Sequence, residues 1–223
     1  MATFGQLKTE IAAKLTDGDL QYPTTAQIGA TINSIIKRYE NKHFWFLDTY
    51  DVITLDAGDP VVPVADIPAD FKSQANPGGL VIVYDGLRYP LGKIKPDIYD
   101  SINIEGQGLP YCYTYRNGQF ELYFYPDQAY TLYINYRKFM ADLVLDADEN
   151  DFTIYTPRLL VYAALEEIYA TYRRDPDMAS YYKDKTKEEF NEVMSETYER
   201  TCSGTLTPDS VYSNGTYYNY WGF

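Results

Sequence analysis

The chain has 223 residues and a formal net charge of −13 at pH 7, and both numbers limit what it can do. A chain of this length folds as one large domain or two small ones and buries roughly 70 % of its unfolded surface. The acidic charge repels the phosphate backbone, which excludes a protein that grips nucleic acid in a basic groove. The sequence shows neither the ~18-residue apolar run of a membrane span nor a signal-peptide pattern at its start. We therefore expect a protein that is made in the cytoplasm and has no membrane partner.

Tyrosine occurs 25 times, which is more than a core of this size requires. Tyr combines a large apolar area with a hydrogen-bonding hydroxyl and low side-chain entropy, and this suits surfaces where proteins meet. The same residue also forms half-exposed pairs in β-sheets. The tyrosine content therefore indicates protein interfaces, with ordinary sheet pairing as the alternative.

Two amphipathic helices are predicted at the start of the chain. Apolar residues recur at helical spacing at positions 4, 7, 11 and 15, and again at positions 28, 32, 35, 36 and 39. Thr3 precedes the first run and Thr24 the second, each with a glutamine three residues later, which is a capping-box pattern. We expect the first helix to end near Leu15 and the second near Asn41.

A β-region is predicted from residue 49 to residue 139, because alternating apolar residues and turn dipeptides replace the helical spacing there. We expect this middle part to be all-β. Its clearest element is a hairpin with strands 111–116 and 119–125 around Asn117-Gly118, which supplies the positive φ angles of a type I′ turn. A third strand, 130–139, should pair next to this hairpin in a meander.

Helical spacing returns after Thr156-Pro157, where Thr suits the N-cap and Pro the first helical position. One face of this helix is marked by Leu160, Ala164, Leu165, Ile168 and Tyr172. Asp175-Pro176 has the same pattern, a capping residue followed by proline, and precedes a last helix. This helix should end shortly before Gly204.

This order of helices, strands and helices predicts an α+β fold, in which both chain ends form a helical bundle with an inserted antiparallel β-domain. The predicted boundaries are 1–48 and 152–200 for the bundle, 49–151 for the β-domain and 201–223 for an extended C-terminal arm. The arm is poor in charge and rich in aromatic side chains, which favours anchoring on another protein surface. Its predicted contact residues are Tyr212, Tyr217, Tyr218, Tyr220, Trp221 and Phe223.

Few residues of this sequence suit catalysis. His43 is the only histidine, which excludes multi-histidine metal sites and leaves a single candidate base for Ser-His or Cys-His catalysis. A packed or half-exposed ring without an evident partner is the simpler interpretation of His43. Cys112 and Cys202 lack metal-ligand spacing and are expected to be reduced thiols. Because no glycine-rich phosphate loop or nucleophile elbow occurs, we expect no enzyme, no catalytic residue and no cofactor.

One acidic stretch is similar to the opening of a calcium loop, because Asp146, Asp148 and Asn150 place oxygen side chains at alternate positions. The rest of the loop does not fit: Asp151 stands where Gly is needed and Pro157 where a bidentate Glu is needed. A solvated acidic connector is the better interpretation, and no metal site is predicted.

A carbohydrate-binding module with an aromatic β-sheet is the alternative function, because sugar faces carry apolar C–H groups that stack on aromatic rings. Trp45 and Trp221 both lie outside the predicted strands, which weakens this alternative. Exposed aromatic rings on one sheet face would favour it.

Several local patterns follow one another along the chain. They are Arg38-Tyr39-Glu40 with Phe44-Trp45-Phe46, Ile67-Pro68-Ala69-Asp70-Phe71, Gly108-Leu109-Pro110-Tyr111, Leu122-Tyr123-Phe124-Tyr125-Pro126-Asp127 and Leu145-Asp146-Ala147-Asp148-Glu149-Asn150. Each has a local physical reason as well; the prolines, for example, punctuate strand entries. In this order, the patterns resemble the head-to-tail adaptor proteins that join portal and tail in short-tailed bacteriophages.

The resemblance implies a structural virion protein at the head-tail junction. It implies a dodecameric ring, seated under the portal protein, that binds tail nozzle and fibre proteins and leaves a channel for DNA. DNA would pass without specific binding, which fits the acidic charge, although the charge also serves solubility before assembly. The arm would then bind the portal or a neighbouring subunit.

Overall fold

The computed structural model describes residues 2–15, 23–75, 79–102 and 106–202 of the chain. It contains six α-helices, two antiparallel or mixed β-sheets and short single-turn segments within these residues. The protein therefore has an α+β fold, as the sequence predicts.

The first two helices begin at the predicted capping boxes. Helix α1 covers Phe4–Lys14 and α2 covers Thr25–Tyr39. The side chains of Thr3 and Thr24 accept from the backbone N–H three residues later, and the glutamine there reaches back to the capping residue's own N–H. Each box satisfies two backbone donors that a helix start otherwise leaves without a partner.

Three more helices follow the β-region, and their bounds are Asp151–Tyr155 for the short α4, Pro157–Ile168 for α5 and Pro176–Cys202 for α6. Asp175 caps α6 as predicted, because its Oδ1 accepts from the backbone N–H groups of Asp177 and Met178. Thr156 is the N-cap residue of α5 and Pro157 begins the helix, as predicted. The Thr156 hydroxyl makes no cap bond to α5, because it donates to the carbonyl of Phe152 in α4. One π-helical turn, Tyr169–Arg173, extends α5.

One large apolar cluster contains buried residues of α1, α2, α4, α5 and α6. Its fully buried members include Ile32 and Ile35 of α2 and Leu160 and Ala164 of α5. Phe44 and Phe46, which follow α2, stack with ring centroids 5.3 Å apart and close one end of the cluster. Burial of so many large side chains makes this cluster a main source of hydrophobic stabilisation.

Nine strands form the two sheets. They are β1 Asp48–Leu55, β2 Val61–Val62, β3 Phe71–Gln74, β4 Leu80–Tyr84, β5 Leu87–Pro90, β6 Gly92–Lys93, β7 Cys112–Arg116, β8 Gln119–Tyr123 and β9 Tyr130–Lys138. The five-stranded sheet has the order β1-β9-β4-β5, with β3 also paired to β9. The four-stranded sheet has the order β2-β8-β7-β6.

The predicted hairpin of β7 and β8 is confirmed, with Asn117 at φ 52° and Gly118 at φ 80° in its turn. The predicted meander is wrong. Strand β2 occupies the side of β8 where β9 was expected, and β9 lies at the centre of the other sheet between β1 on one side and β3 and β4 on the other.

The all-β prediction for residues 49–139 is also wrong in one place, because Pro96–Ser101 forms a short helix, α3. Pro96 stands at its first helical position, where the missing N–H costs nothing. Single 3₁₀ turns at Trp45–Leu47 and Val64–Asp66 complete the connections.

The two sheets face each other across a second apolar cluster. It contains Leu80, Leu132 and Ile134 from the five-stranded sheet and Phe120 and Leu122 from the four-stranded sheet. All five side chains are buried. The sandwich therefore has one inner layer and two outer faces.

Candidate interaction surface

The outer face of the five-stranded sheet carries apolar and aromatic side chains that no other described segment covers. Residues opposite each other on neighbouring strands point to the same side of a sheet. Tyr133 lies opposite both Val52 of β1 and Val81 of β4, while Leu132 and Ile134 beside it in β9 are buried in the sandwich. The row through Tyr133 is therefore the outer row.

The centre of this face is a small aromatic and aliphatic patch. Tyr50 is 64 % exposed and Val52 is 44 % exposed, which is high for large apolar side chains. The rings of Tyr50 and Tyr133 have centroids 5.8 Å apart, and the Arg88 guanidinium lies 4.6 Å from the Tyr133 centroid. We call Tyr50, Val52, Val81, Arg88 and Tyr133 the sheet patch.

The four-stranded sheet offers a contrast, because α3 covers its outer face. Tyr99 of α3 is buried against Cys112 and Tyr123, and its hydroxyl donates to the Leu122 carbonyl at 3.0 Å. Burial raises the pKa of the Cys112 thiol to about 11, so this thiol stays protonated and unreactive at neutral pH.

Ion pairs also connect α3 to the four-stranded sheet. Arg116 donates to both carboxylate oxygens of Asp100, at 2.7 and 3.0 Å, and through Nε to Glu121 at 2.7 Å. These two carboxylates raise the pKa of Arg116 above its already high value. One outer face of the sandwich is thus covered by α3, and none of the described residues covers the other.

Strand β1 forms one free edge of the five-stranded sheet. Edge strands expose unpaired backbone groups to which another strand can be added. The Val52 N–H on this strand instead donates to a local partner, the Asp51 carboxylate, at 2.8 Å. Acidic side chains on an edge oppose addition of an acidic strand.

A polar junction connects the helical part to the sandwich. Glu40, at the end of α2, is buried, and its Oε1 accepts from the Met140 N–H at 2.9 Å. Lys72 of β3 donates to the Glu40 carbonyl at 2.8 Å and to Asn41 at 3.0 Å, with its Nζ 3.8 Å from Glu40 Oε2. The junction joins α2, β3 and the segment after β9.

His43 lies in the same junction, and the expectation that it has no partner is wrong. Its Nε2 is 2.7 Å from Asp48 Oδ2, and Arg137 Nε lies 3.6 Å from the other oxygen of that carboxylate. Arg137 of β9 stands opposite Asp48 of β1, so pairing of these strands brings Arg137 to the same carboxylate. The Asp48 carboxylate therefore lies between His43 and Arg137.

The acidic connector before α4 is held by hydrogen bonds within itself and to the start of α1. The Asp148 carboxylate accepts from the N–H groups of Val144 and Leu145, and these bonds lower its pKa. The backbone carbonyls of Asp146 and Asp148 accept from the start of α1, and Asp146 pairs with Lys8. Over the described residues, no three His, Cys, Asp or Glu side chains are grouped so as to hold a metal ion.

The predicted contact residues of the arm, Tyr212, Tyr217, Tyr218, Tyr220, Trp221 and Phe223, lie outside the described residues. The point where the arm begins is described, because α6 extends to Cys202. The Arg200 guanidinium stacks 3.9 Å from the Trp45 centroid, and Trp45 in turn contacts Tyr155 with centroids 4.7 Å apart.

The chain matches the family model described as SU10 adaptor protein over residues 2–209, and it belongs to this family of phage head-tail adaptors. No curated protein matches the chain.

Family membership gives the protein a structural role in the phage virion, in contact with other head and tail proteins. The resemblance stated from the sequence is therefore confirmed. None of the helices in the described ranges combines the length and the apolar character needed to cross a bilayer.

Proposed function

We propose that this protein is a ring-forming adaptor that links the portal to the tail nozzle and fibres and leaves a channel for DNA. The observation that carries this proposal is the sheet patch, an uncovered apolar face on a sandwich whose other outer face α3 covers. Apolar side chains left exposed together mark contact surfaces. The family match supports the same reading.

The architecture that we propose for this role has two parts and an arm. Residues 1–48 and 152–200 form a helical bundle, 49–151 an inserted β-domain, and 201–223 an extended arm. The shared apolar cluster of helices from both ends supports the bundle. The arm contacts the portal or a neighbouring subunit through its six aromatic side chains.

A ring requires a contact in which each subunit uses one surface toward the next subunit and a different surface toward the previous one. The sheet patch supplies one such surface, because it is on a single side of the sandwich. We propose a dodecamer, in which that contact is made twelve times and closes.

The exposed face of α6 suits a channel that DNA traverses without binding. Asp184, Glu188, Glu192 and Glu199 are exposed there and recur at helical spacing along one side. Lys185 pairs with Glu188 on this helix, and the other three carboxylates would repel the phosphate backbone, so DNA would pass without binding.

Native mass measurement and negative-stain imaging of the purified protein test this proposal. We expect a closed ring, or a subunit that forms rings once portal protein is added. A protein that stays monomeric with portal present, at concentrations where both remain soluble, would contradict the adaptor function.

A carbohydrate-binding module remains a second candidate, favoured by one observation: Tyr50 and Tyr133 present rings on one sheet face. Titration of the monomer with oligosaccharides separates the two functions. Saturable binding that a Tyr50→Ala variant abolishes, in a protein that forms no ring, would replace the adaptor proposal.

A further inference from the structure

Strand β1 has a long outer edge with which no other strand of the described residues pairs. It has eight residues, whereas β5 at the opposite edge of the sheet has four and ends in Pro90. Proline has no N–H to donate to a further strand. We propose that the β1 edge binds an extended segment of another protein by antiparallel strand addition, and that Asp51 selects a segment with a lysine or arginine opposite it.

The backbone groups of three β1 residues point away from the sheet. In an antiparallel pair, alternate residues exchange both backbone hydrogen bonds with the partner strand, and the residues between them direct theirs outward. The Val52 N–H donates to the Asp51 carboxylate at 2.8 Å, which places Val52 among the outward residues. By alternation, Tyr50 and Thr54 belong to the same set. An added strand can therefore bond to the N–H and C=O groups of these three residues.

The side chains of the same three residues leave room for a neighbouring strand, because all three are exposed. Tyr50 and Val52 belong to the sheet patch. A residue opposite Val52 in an added strand would point to the same face and would extend the sheet patch by one strand. Valine, isoleucine and threonine suit that position, because β-branched side chains pack well on a pleated surface.

The charge along this edge determines which segments can bind. Residues 48–59 contain four aspartates and no lysine or arginine. Asp48 already lies beside Arg137 of the neighbouring strand. The Asp51 carboxylate is exposed and accepts from a backbone N–H instead. A cationic segment is therefore the complementary partner of this edge.

Asp51 also controls access to one backbone donor of the edge. While its carboxylate accepts from the Val52 N–H, this donor is not available to an added strand. In antiparallel addition, the residue opposite Asp51 forms a non-hydrogen-bonded pair with it, and side chains approach most closely in such pairs. A lysine or arginine there pairs with the carboxylate and releases the Val52 N–H. An aspartate or glutamate there would be repelled.

Strand β1 of a second copy does not fit this edge. It would bring Asp48, Asp51 and Asp56 to a row that is already acidic, and like charges opposite each other destabilise a sheet. The occupant is instead a segment that alternates cationic and β-branched residues. All four strand pairings within this sheet are antiparallel, and antiparallel pairing is slightly more stable per residue than parallel pairing.

Fluorescence anisotropy with labelled synthetic peptides and the full-length protein tests the proposal. The probe has eight residues, the length of β1, and alternates valine with lysine. A second peptide replaces every lysine by glutamate. Two further peptides are the probe with backbone N-methyl groups, on the valines in one and on the lysines in the other. With lysine opposite Asp51, only the valine N–H groups bond to β1, so the two methylated peptides separate strand addition from other contacts.

We expect the lysine peptide and its lysine-methylated form to bind saturably, and the valine-methylated form and the glutamate peptide not to bind. Asp51→Asn keeps an oxygen at the same place and removes the charge, so the affinity for the lysine peptide should fall roughly threefold to fivefold. The matched control is Asp66→Asn, which removes an exposed carboxylate in the turn after β2. This control should leave the affinity unchanged.

Equal binding of the two methylated peptides would show a contact without strand addition and would overturn the proposal. Equal losses for Asp51→Asn and Asp66→Asn would refute the selective role of Asp51, since the overall charge of the protein would then explain the attraction. Release of one copy of the protein from another as the peptide binds would assign the edge to a second copy instead. A lysine peptide that does not bind saturably would also contradict the proposal.

Discussion

Substitution of Glu40 by Ala should destabilise the protein more than any change to an exposed ion pair. Glu40 is buried and accepts from the Met140 N–H at 2.9 Å, so the substitution leaves that backbone donor without a partner. Removing one member of a buried charged pair typically costs about 3–5 kcal/mol. Lys72 retains two other acceptors, the Glu40 carbonyl and Asn41. We therefore expect a loss of about 3 kcal/mol in the free energy of unfolding.

Urea unfolding followed by circular dichroism measures this loss. With a slope of about 2 kcal/mol per molar urea, the midpoint should fall by roughly 1.5 M. Glu40→Gln keeps an acceptor for the Met140 N–H and should cost only about 1 kcal/mol. The matched control is Glu188→Ala, which removes an exposed pair with Lys185 and should cost less than about 0.5 kcal/mol. Equal shifts for Glu40→Ala and Glu188→Ala would refute the role assigned to the junction.

Three further predictions concern His43, Tyr113 and the two chain ends. His43→Ala should lower stability by less than about 1 kcal/mol, since its pair with Asp48 is partly exposed, and should leave virion assembly intact; complete loss of infectivity in particles that contain the folded variant would contradict a non-enzymatic role. Burial raises the pKa of Tyr113 to about 12, so this phenol favours folding below pH 10 and the contribution is lost as pH rises through 12. The free energy of unfolding should fall by about 1.4 kcal/mol from this group between pH 9 and pH 11, and Tyr113→Phe should show a smaller fall. A fragment of residues 1–139 lacks α5 and should lose the helicity of α1 and α2 in circular dichroism, whereas a stable fragment with native helicity would show that the two ends fold independently.

Local signals predicted the helices well because their ends depend on a few adjacent residues. The capping boxes at Thr3 and Thr24 and the Asp175-Pro176 start of α6 are each contained within four residues. The β7–β8 hairpin follows in the same way from Asn117-Gly118. The start of α3 had a comparable signal in Pro96, which the surrounding alternation of apolar residues obscured.

Sheet topology could not be predicted, because strand order depends on contacts between distant residues. Strand β9 follows β8 in sequence, but β2 already occupies that side of β8. The sheet patch was missed for the same reason, since it exists only when β1, β9, β4 and β5 pair in one sheet.

The most direct test of the central claim is the position of this protein in the virion. A small folded tag inserted at the exposed Asp85-Gly86 turn, where both residues have positive φ, should be tolerated because the turn lies away from the sandwich core. Cryo-electron microscopy of the tagged particles should show tag density as a ring at the head-tail junction, between portal and tail. Tag density on the fibres or on the capsid shell, with none at that junction, would contradict the adaptor function.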